Sequence, residues 1–171
     1  MSDLNTLSYY LGIEVRQGKE ALMLGQSAYA SKLLEWSGMA QCKPYVTPME
    51  ERLKLTKATA SWSIPKRIKG AVDQVIVFPK TGGSRLQLAV FSDTDMAGDI
   101  DGRRSTSGVL VFLGLAPISW LSLKQKVVAM STCEAEYVAA ATAACQAMWL
   151  RWLLGELTGV EARPPALVVD N

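Results

Sequence analysis

Alternating apolar and polar positions predict several short strands along the chain. In the first third, the apolar segments Leu7–Val15 and Ala21–Gly25 flank a polar turn at Arg16–Glu20, a pattern typical of a β-hairpin. A helix is expected over Ala28–Ser37, with Ser27 as its cap. A hairpin with one helix is too small to form a core alone, so this third is expected to be part of a larger fold.

The middle of the chain has a weaker pattern. Met39–Leu55 contains two prolines and mixed charges and is expected to be a loop. In Thr56–Arg85 we expect Pro65 to interrupt the helical pattern, while Val75–Phe78 can form a strand. The many basic side chains here favour a solvated linker over a binding surface.

The second half has the most regular pattern. An alternation of apolar residues at Leu86, Leu88 and Val90 predicts a strand, and Asp93 lies at the end of this strand. The apolar segments Gly108–Leu113 and Ile118–Leu123 follow after short connections. These three strands predict an antiparallel meander.

A long helix and one more strand follow the meander. Ser131 and Glu134 have the spacing of a capping box, and the helix that they open is expected to run to about Thr158, before Gly159. Its middle is rich in alanine and is expected to be buried on most sides. Ala166–Val169 predicts a buried parallel strand that nevertheless exposes some apolar surface. We expect core or packing positions for Trp120, Tyr137, Trp149, Trp152, Cys133 and Cys145.

Composition narrows the class of protein. The 171 residues are 49% hydrophobic and 20% charged, which is typical of a globular domain. No apolar run is long enough to span a bilayer, no secretion signal is apparent, and three cysteines without Cys-x-x-Cys spacing suggest a cytoplasmic or nuclear protein. The absence of histidine excludes Ser-His-Asp catalysis and histidine-based metal sites. The net charge of +2 does not by itself indicate nucleic-acid binding.

Three carboxylates occupy comparable places in the predicted fold. Asp93 ends the first strand of the meander, Asp170 ends the strand after the helix, and Glu136 lies in the first turns of the helix. Glu134 is assigned to the helix cap, so Glu136 is the better ligand. Oxygen ligands that converge in this way suit Mg²⁺ (or Mn²⁺), and two such ions can hold the attacking water and the leaving oxygen of a phosphodiester.

The acidic segment around Asp93 allows a second interpretation. FSDTDMAGDIDG has the acidic spacing of a calcium loop, but Arg104 stands where a bidentate glutamate is needed. Asp95, Asp99 and Asp101 are better explained as turn formers. Four basic residues lie on loops beside the proposed site: Arg103, Arg104, Lys124 and Lys126. They are either solvated surface charges or contacts for phosphate groups, and their position beside the site favours phosphate contacts.

These motifs resemble a known family. SDTDMAGD, RRSTSG, PISW, KQK, STCEAEYVA and the final VVDN together resemble the ribonuclease H domain of copia-type LTR-retrotransposon Pol polyproteins, particularly those of plants. The first third resembles the end of the reverse transcriptase of the same polyprotein. The resemblance implies a reverse-transcriptase remnant at 1–55, a degenerate connection at 56–85, and an incomplete ribonuclease H-like domain at 86–171.

The resemblance also implies specific roles. Asp93, Glu136 and Asp170 match the catalytic carboxylates that bind Mg²⁺ and cleave the RNA strand of an RNA–DNA hybrid. No small-molecule cofactor is implied, and the polymerase motif is absent. The family has further helices and a fourth acidic residue beyond the position of Asn171, so we expect a C-terminally truncated sheet and weak or no activity. The alternative is a remnant that is inert or binds nucleic acid only.

Overall fold

The computed structural model describes residues 6–45, 57–80 and 87–169, with the backbone alone for residues 57–63. The chain forms two compact units, Met1–Thr81 and Gly82–Asn171. Among the described residues, each unit combines a four-stranded sheet with one or two helices, three helices in all. The predicted α/β class is therefore confirmed, whereas the three-part division by ancestry stays a prediction.

The sheet of the first unit is antiparallel. Its strands are β1 (Tyr9–Tyr10), β2 (Ile13–Gln17), β3 (Ala21–Gly25) and β4 (Val75–Pro79), in that spatial order. The β2–β3 pair confirms the predicted hairpin. Strand β4, predicted as Val75–Phe78, pairs with β3 although about fifty residues separate them in sequence, so part of the segment predicted as a linker belongs to this sheet.

Two helices accompany this sheet, and both differ from expectation. Helix α1 (Ser27–Trp36) begins at Ser27, so the assignment of Ser27 as its cap was wrong; the N-cap is Gln26. The Ser27 hydroxyl instead donates to the carboxylate of Glu14 on β2 (2.8 Å). Helix α2 (Lys57–Gly70) continues through Pro65, so the predicted interruption was also wrong. A proline within a helix removes one backbone hydrogen bond but need not end the helix.

The second unit contains the predicted meander and parallel strand. Its strands are β5 (Leu88–Asp95), β6 (Thr106–Leu113), β7 (Ala116–Lys124) and β8 (Ala166–Val169), in the spatial order β7-β6-β5-β8. The strands β5, β6 and β7 are antiparallel, and β8 runs parallel to β5. All four residues of β8 are exposed, so the prediction of a buried strand was wrong, whereas the expected exposure of apolar surface is confirmed. An apolar sequence does not decide whether another element covers the strand.

Helix α3 (Thr132–Thr158) packs across β5 and β6. Ala143, Ala147 and Leu150 form a core with four side chains of the sheet, Leu88, Val90, Val109 and Val111. The alanines present little side-chain volume, so the helix can lie close to the sheet. Ser131 caps its start, and Gly159 follows its end with a positive φ of 67°, as the sequence predicts.

Several residues expected in the core are exposed instead. The helix buries one face only, so the prediction that it is buried on most sides was wrong. Trp120 lies on β7 with 64% of its surface exposed, and Tyr137 on α3 with 76%. The other exposed side chains for which we expected packing are Trp149, Trp152, Cys133 and Cys145.

Candidate functional site

Asp93 lies near the end of β5, on the face of the sheet that α3 does not cover. Leu88, Val90 and Ser92 are buried, whereas Phe91 and Asp93 between and beyond them are exposed. The backbone N–H of Thr94 donates to Asp93 Oδ1 (2.7 Å) and orients the carboxylate. Asp93 pairs across the ladder with Gly108, which has no side chain that could shield it. The Asp93 carboxylate is therefore accessible to a ligand.

Glu136 lies in the second turn of α3 and is only half-buried. Its Oε2 atom is buried. The sequence predicts that Glu136 heads an apolar stripe on the sheet-facing side of the helix, formed by Ala140, Ala143, Ala147, Leu150 and Leu154. Ala143, Ala147 and Leu150 are buried as predicted, whereas the first two turns bury Ala135 and Ala139 in place of Glu136 and Ala140. Glu136 therefore lies at the edge of the sheet-facing surface of α3.

Glu134 has the capping role predicted for it. Its backbone N–H donates to Ser131 Oγ (3.2 Å), and its own carboxylate accepts from the backbone N–H of Met130 (2.7 Å). A capping box predicts that the Glu134 carboxylate accepts from the backbone N–H of Ser131, whereas it accepts here from the N–H of the preceding residue. Because the carboxylate of Glu134 is engaged at the start of the helix, Glu136 is the better candidate for a metal ligand on α3.

Asp170, the third predicted carboxylate, lies outside the described residues. Val169 immediately before it is described and pairs in parallel with Ser92, the residue immediately before Asp93. No group of three or more potential metal ligands is found within the described part of the chain. The structure thus supplies two carboxylates on elements that pack together, β5 and α3. Oxygen ligands of this type suit a hard divalent cation such as Mg²⁺.

Asp99 organises the acidic loop. Its carboxylate accepts from the backbone N–H of Gly102 (2.9 Å), and its backbone bonds to Arg103 and Arg104 (2.8 and 3.2 Å). It also forms an ion pair with Lys124. The hydrogen bond from Lys124, followed by that from Gly102, lowers the pKa of Asp99 below its ordinary value.

These contacts separate the two interpretations of the loop. Asp99 acts as a turn former, as predicted, because its carboxylate is engaged by Lys124 and by the backbone N–H of Gly102. These contacts favour the turn-forming role of Asp99 over a ligand role in a calcium loop. Of the four loop cations, Lys124 is committed to Asp99, while Arg103, Arg104 and Lys126 are exposed. Their proposed contacts with phosphate stay a prediction.

Sequence reasoning missed Gln125, a buried residue between two lysines after β7. Only 4% of its surface is exposed, and the two N–H groups of its side-chain amide are shared among three acceptors on three different elements: Thr94, Ser107 and Ala135. A single glutamine between lysines predicts nothing of this kind. The signals that could have found it are its place, directly after a strand and before the helix that carries Glu136, and its membership of the KQK motif.

The fold and these residues define an α/β protein with acidic groups at the end of a strand and in the helix beside it. The retrovirus-related Pol polyproteins from transposons RE2 and RE1 of Arabidopsis thaliana are each 32% identical to this chain, over 96% and 100% of it. That from transposon TNT 1-94 of Nicotiana tabacum is 28% identical over 92%. The chain spans 14–16% of the length of these three relatives.

The chain is similar over nearly its whole length to retrovirus-related Pol polyproteins of plant transposons, and the resemblance inferred from its motifs is confirmed. No family model matches the chain. No solved structure matches it either. Among the helices in the described ranges, none is both long and apolar enough to cross a membrane.

Proposed function

We propose that the second unit is a ribonuclease H-like domain that cleaves the RNA strand of RNA–DNA hybrids with Mg²⁺ or Mn²⁺. The observation that carries the proposal is the parallel β5–β8 register, which pairs Ser92 with Val169. In the sequence, Asp93 follows Ser92 and Asp170 follows Val169. The meander, the long helix and the parallel strand support the ribonuclease H-like assignment, and the kinship with Pol polyproteins supports the substrate class.

In this proposal Asp93, Glu136 and Asp170 hold the metal ion. A divalent ion held by these residues would supply an activated water and would neutralise charge on the phosphate. The Thr94 N–H fixes the Asp93 carboxylate, and the start of α3 favours negative charge at Glu136. The open face of β5 gives a phosphodiester access to Asp93.

The hybrid is recognised by its shape and its 2′-hydroxyls, without reading of base sequence. Arg103, Arg104 and Lys126 are exposed and can contact phosphates. Lys124 contributes less in this proposal, because its ammonium group already pairs with Asp99.

The test is cleavage of a labelled RNA–DNA hybrid by the full chain with Mg²⁺ or Mn²⁺. Because we expect slow cleavage, the comparison is with variants under the same conditions. Asp93→Asn should reduce the rate at least about a hundredfold, since it removes a metal ligand. Asp95→Asn is the matched control, because Asp95 is an exposed aspartate two residues further along, and it should retain the rate.

Two results would contradict the proposal. One is cleavage that Asp93→Asn and Glu136→Gln leave unchanged, which would point to a contaminating nuclease. The other is no cleavage by a folded wild-type chain. Binding of the hybrid that weakens with salt, without cleavage, would favour the alternative of a protein that only binds nucleic acid.

A further inference from the structure

A buried polar cluster lies beneath the start of α3. It consists of Gln125 and the three groups that its side chain contacts, and we call it the Gln125 cluster. The side-chain amide of Gln125 donates to Ala135 O (2.9 Å), to Ser107 Oγ (3.0 Å) and, at a longer distance, to Thr94 Oγ1 (3.4 Å). The backbone N–H of Gln125 donates to Ser105 O (2.8 Å), so the residue itself is fixed to the start of β6.

This cluster lies next to an apolar part of the interface between α3 and the sheet. Further along the same strands, α3 rests on Leu88, Val90, Val109 and Val111. Burial of an amide costs free energy unless its hydrogen bonds are made, and apolar side chains could have joined helix and sheet without that cost. The nitrogen of the Gln125 amide makes its hydrogen bonds, whereas its Oε1 atom is buried with no hydrogen-bond partner among the described residues. Directional hydrogen bonds from the amide nitrogen favour one defined arrangement of the elements that they join.

The cluster joins the immediate neighbours of two proposed metal ligands. Thr94 follows Asp93 on β5, and Ala135 precedes Glu136 on α3. One amide group therefore ties the strand of one carboxylate to the helix of the other. Thr94 is held further by its own hydroxyl, which donates to Thr106 O (3.2 Å).

We infer that Gln125 is a positioning residue, which fixes the start of α3 relative to β5 and so sets the place of Glu136 relative to Asp93. That this position matters for catalysis rests on the proposed function, whereas the contacts by which Gln125 holds the start of α3 do not. Gln125 acts through Glu136 and contacts neither the metal ion nor the substrate.

The main test variant is Gln125→Met, which has a similar size and no hydrogen-bond donor. The matched control is Ala147→Gly, which weakens α3 in the same core but about three turns away from Ala135. If Gln125→Met does not fold, Gln125→Glu replaces it. A glutamate keeps the shape and can accept from the hydroxyls of Thr94 and Ser107, but when ionised it has no proton to donate to the carbonyl of Ala135.

The first measurement is amide hydrogen exchange, which needs neither metal nor substrate. In an α-helix the N–H of Ala139 donates to the same Ala135 carbonyl that accepts from Gln125. In Gln125→Met, exchange in the first two turns of α3 should become about tenfold faster than in the wild type, because one hydrogen bond that holds this carbonyl is lost. In Ala147→Gly the first turns should stay protected relative to the rest of the helix. Equal protection of these turns in Gln125→Met and the wild type would overturn the inference.

The second measurement is the Mn²⁺ concentration at half-maximal stabilisation in thermal melts. A displaced Glu136 should raise this concentration roughly tenfold in Gln125→Met, within the range seen when residues that orient a ligand are changed. Ala147→Gly should leave it unchanged, although its melting temperature falls. In a Glu136→Gln background, Gln125→Met should have no further effect, because the two substitutions act through one ligand.

The outcomes distinguish the two proposals. If the wild type is stabilised by Mn²⁺ and Gln125→Met responds at the same concentration, the positioning role is refuted and the proposed function stands. If Mn²⁺ does not stabilise the wild type, the proposed function fails, and hydrogen exchange still decides whether Gln125 holds the start of α3.

Discussion

Replacement of Ala143 by leucine tests the packing of α3 on the sheet. Ala143 is fully buried in the core that contains Val90 and Val111, which are also fully buried. A leucine adds three carbon atoms where the interface has no space for them. Overpacking of this kind costs about 1–3 kcal/mol. For a unit of this size, that corresponds to a fall in melting temperature of roughly 4–24 °C.

The matched control is Ala144→Leu, because Ala144 is the next residue of the same helix and is exposed. Alanine and leucine both favour helices, so this change should alter stability by no more than about 0.5 kcal/mol. The assay is thermal unfolding followed by circular dichroism, with urea unfolding as a second measure. Equal stability of the two leucine variants, or a larger loss at Ala144, would show that the assigned face of α3 is wrong.

Three further predictions concern polar contacts. Ser131→Ala should lower the free energy of unfolding by about 1 kcal/mol in urea melts, because the capping bond to Glu134 is lost, whereas Ser131→Asp should retain most of it. Lys124 and Gly102 lower the pKa of Asp99 in the folded protein. The stabilisation from the ionised Asp99 should therefore be complete above the ordinary pKa of 3.8 and disappear as the pH falls through the lower folded pKa. The melting temperatures of the wild type and Asp99→Asn should accordingly converge in acid. The pKa of Glu14 is lowered by the Ala28 N–H and then the Ser27 hydroxyl, so Glu14→Gln should lower the melting temperature at pH 7, with a difference that vanishes as the pH falls well below 4.5. A difference that persists in acid for either variant would contradict the assigned contacts.

Local patterns predicted most of the secondary structure. The hairpin, the meander and both ends of α3 depend on alternation and on capping residues such as Ser131 and Gly159, whose effect acts over a few residues. The interruption predicted at Pro65 was wrong. A proline lowers the stability of a helix, but whether the helix continues depends also on the residues around it.

The burial of individual side chains could not be predicted as well. Alanine occupies positions all around α3, so the sequence lacks the contrast between apolar and polar faces that would distinguish Ala139 from Ala140. Trp120 was expected in the core because its side chain is large and apolar. Its burial depends, however, on whether another element covers that face of the sheet. On the described part of this face, Phe91, Leu110 and Val168 are exposed as well.

The site roles of Asp93 and Glu136 stay predictions. Asp93 was selected because it lies near the end of an apolar strand, and Glu136 was separated from Glu134 by the capping box. Gln125 was missed, because its partners lie on β5, β6 and α3 and are brought together only by the fold. The role of Asp170 remains a prediction from the sequence.

The most direct test of the central claim, that Asp93 and Glu136 bind one metal site, is a crystal structure of the chain with Mn²⁺. The anomalous signal of manganese should lie at bonding distance from a carboxylate oxygen of both residues, and of Asp170. Mg²⁺ in the same place should show oxygen distances of about 2.0–2.1 Å. Manganese bound instead among Asp95, Asp99 and Asp101, or no manganese near Asp93 at saturating concentration, would contradict the account.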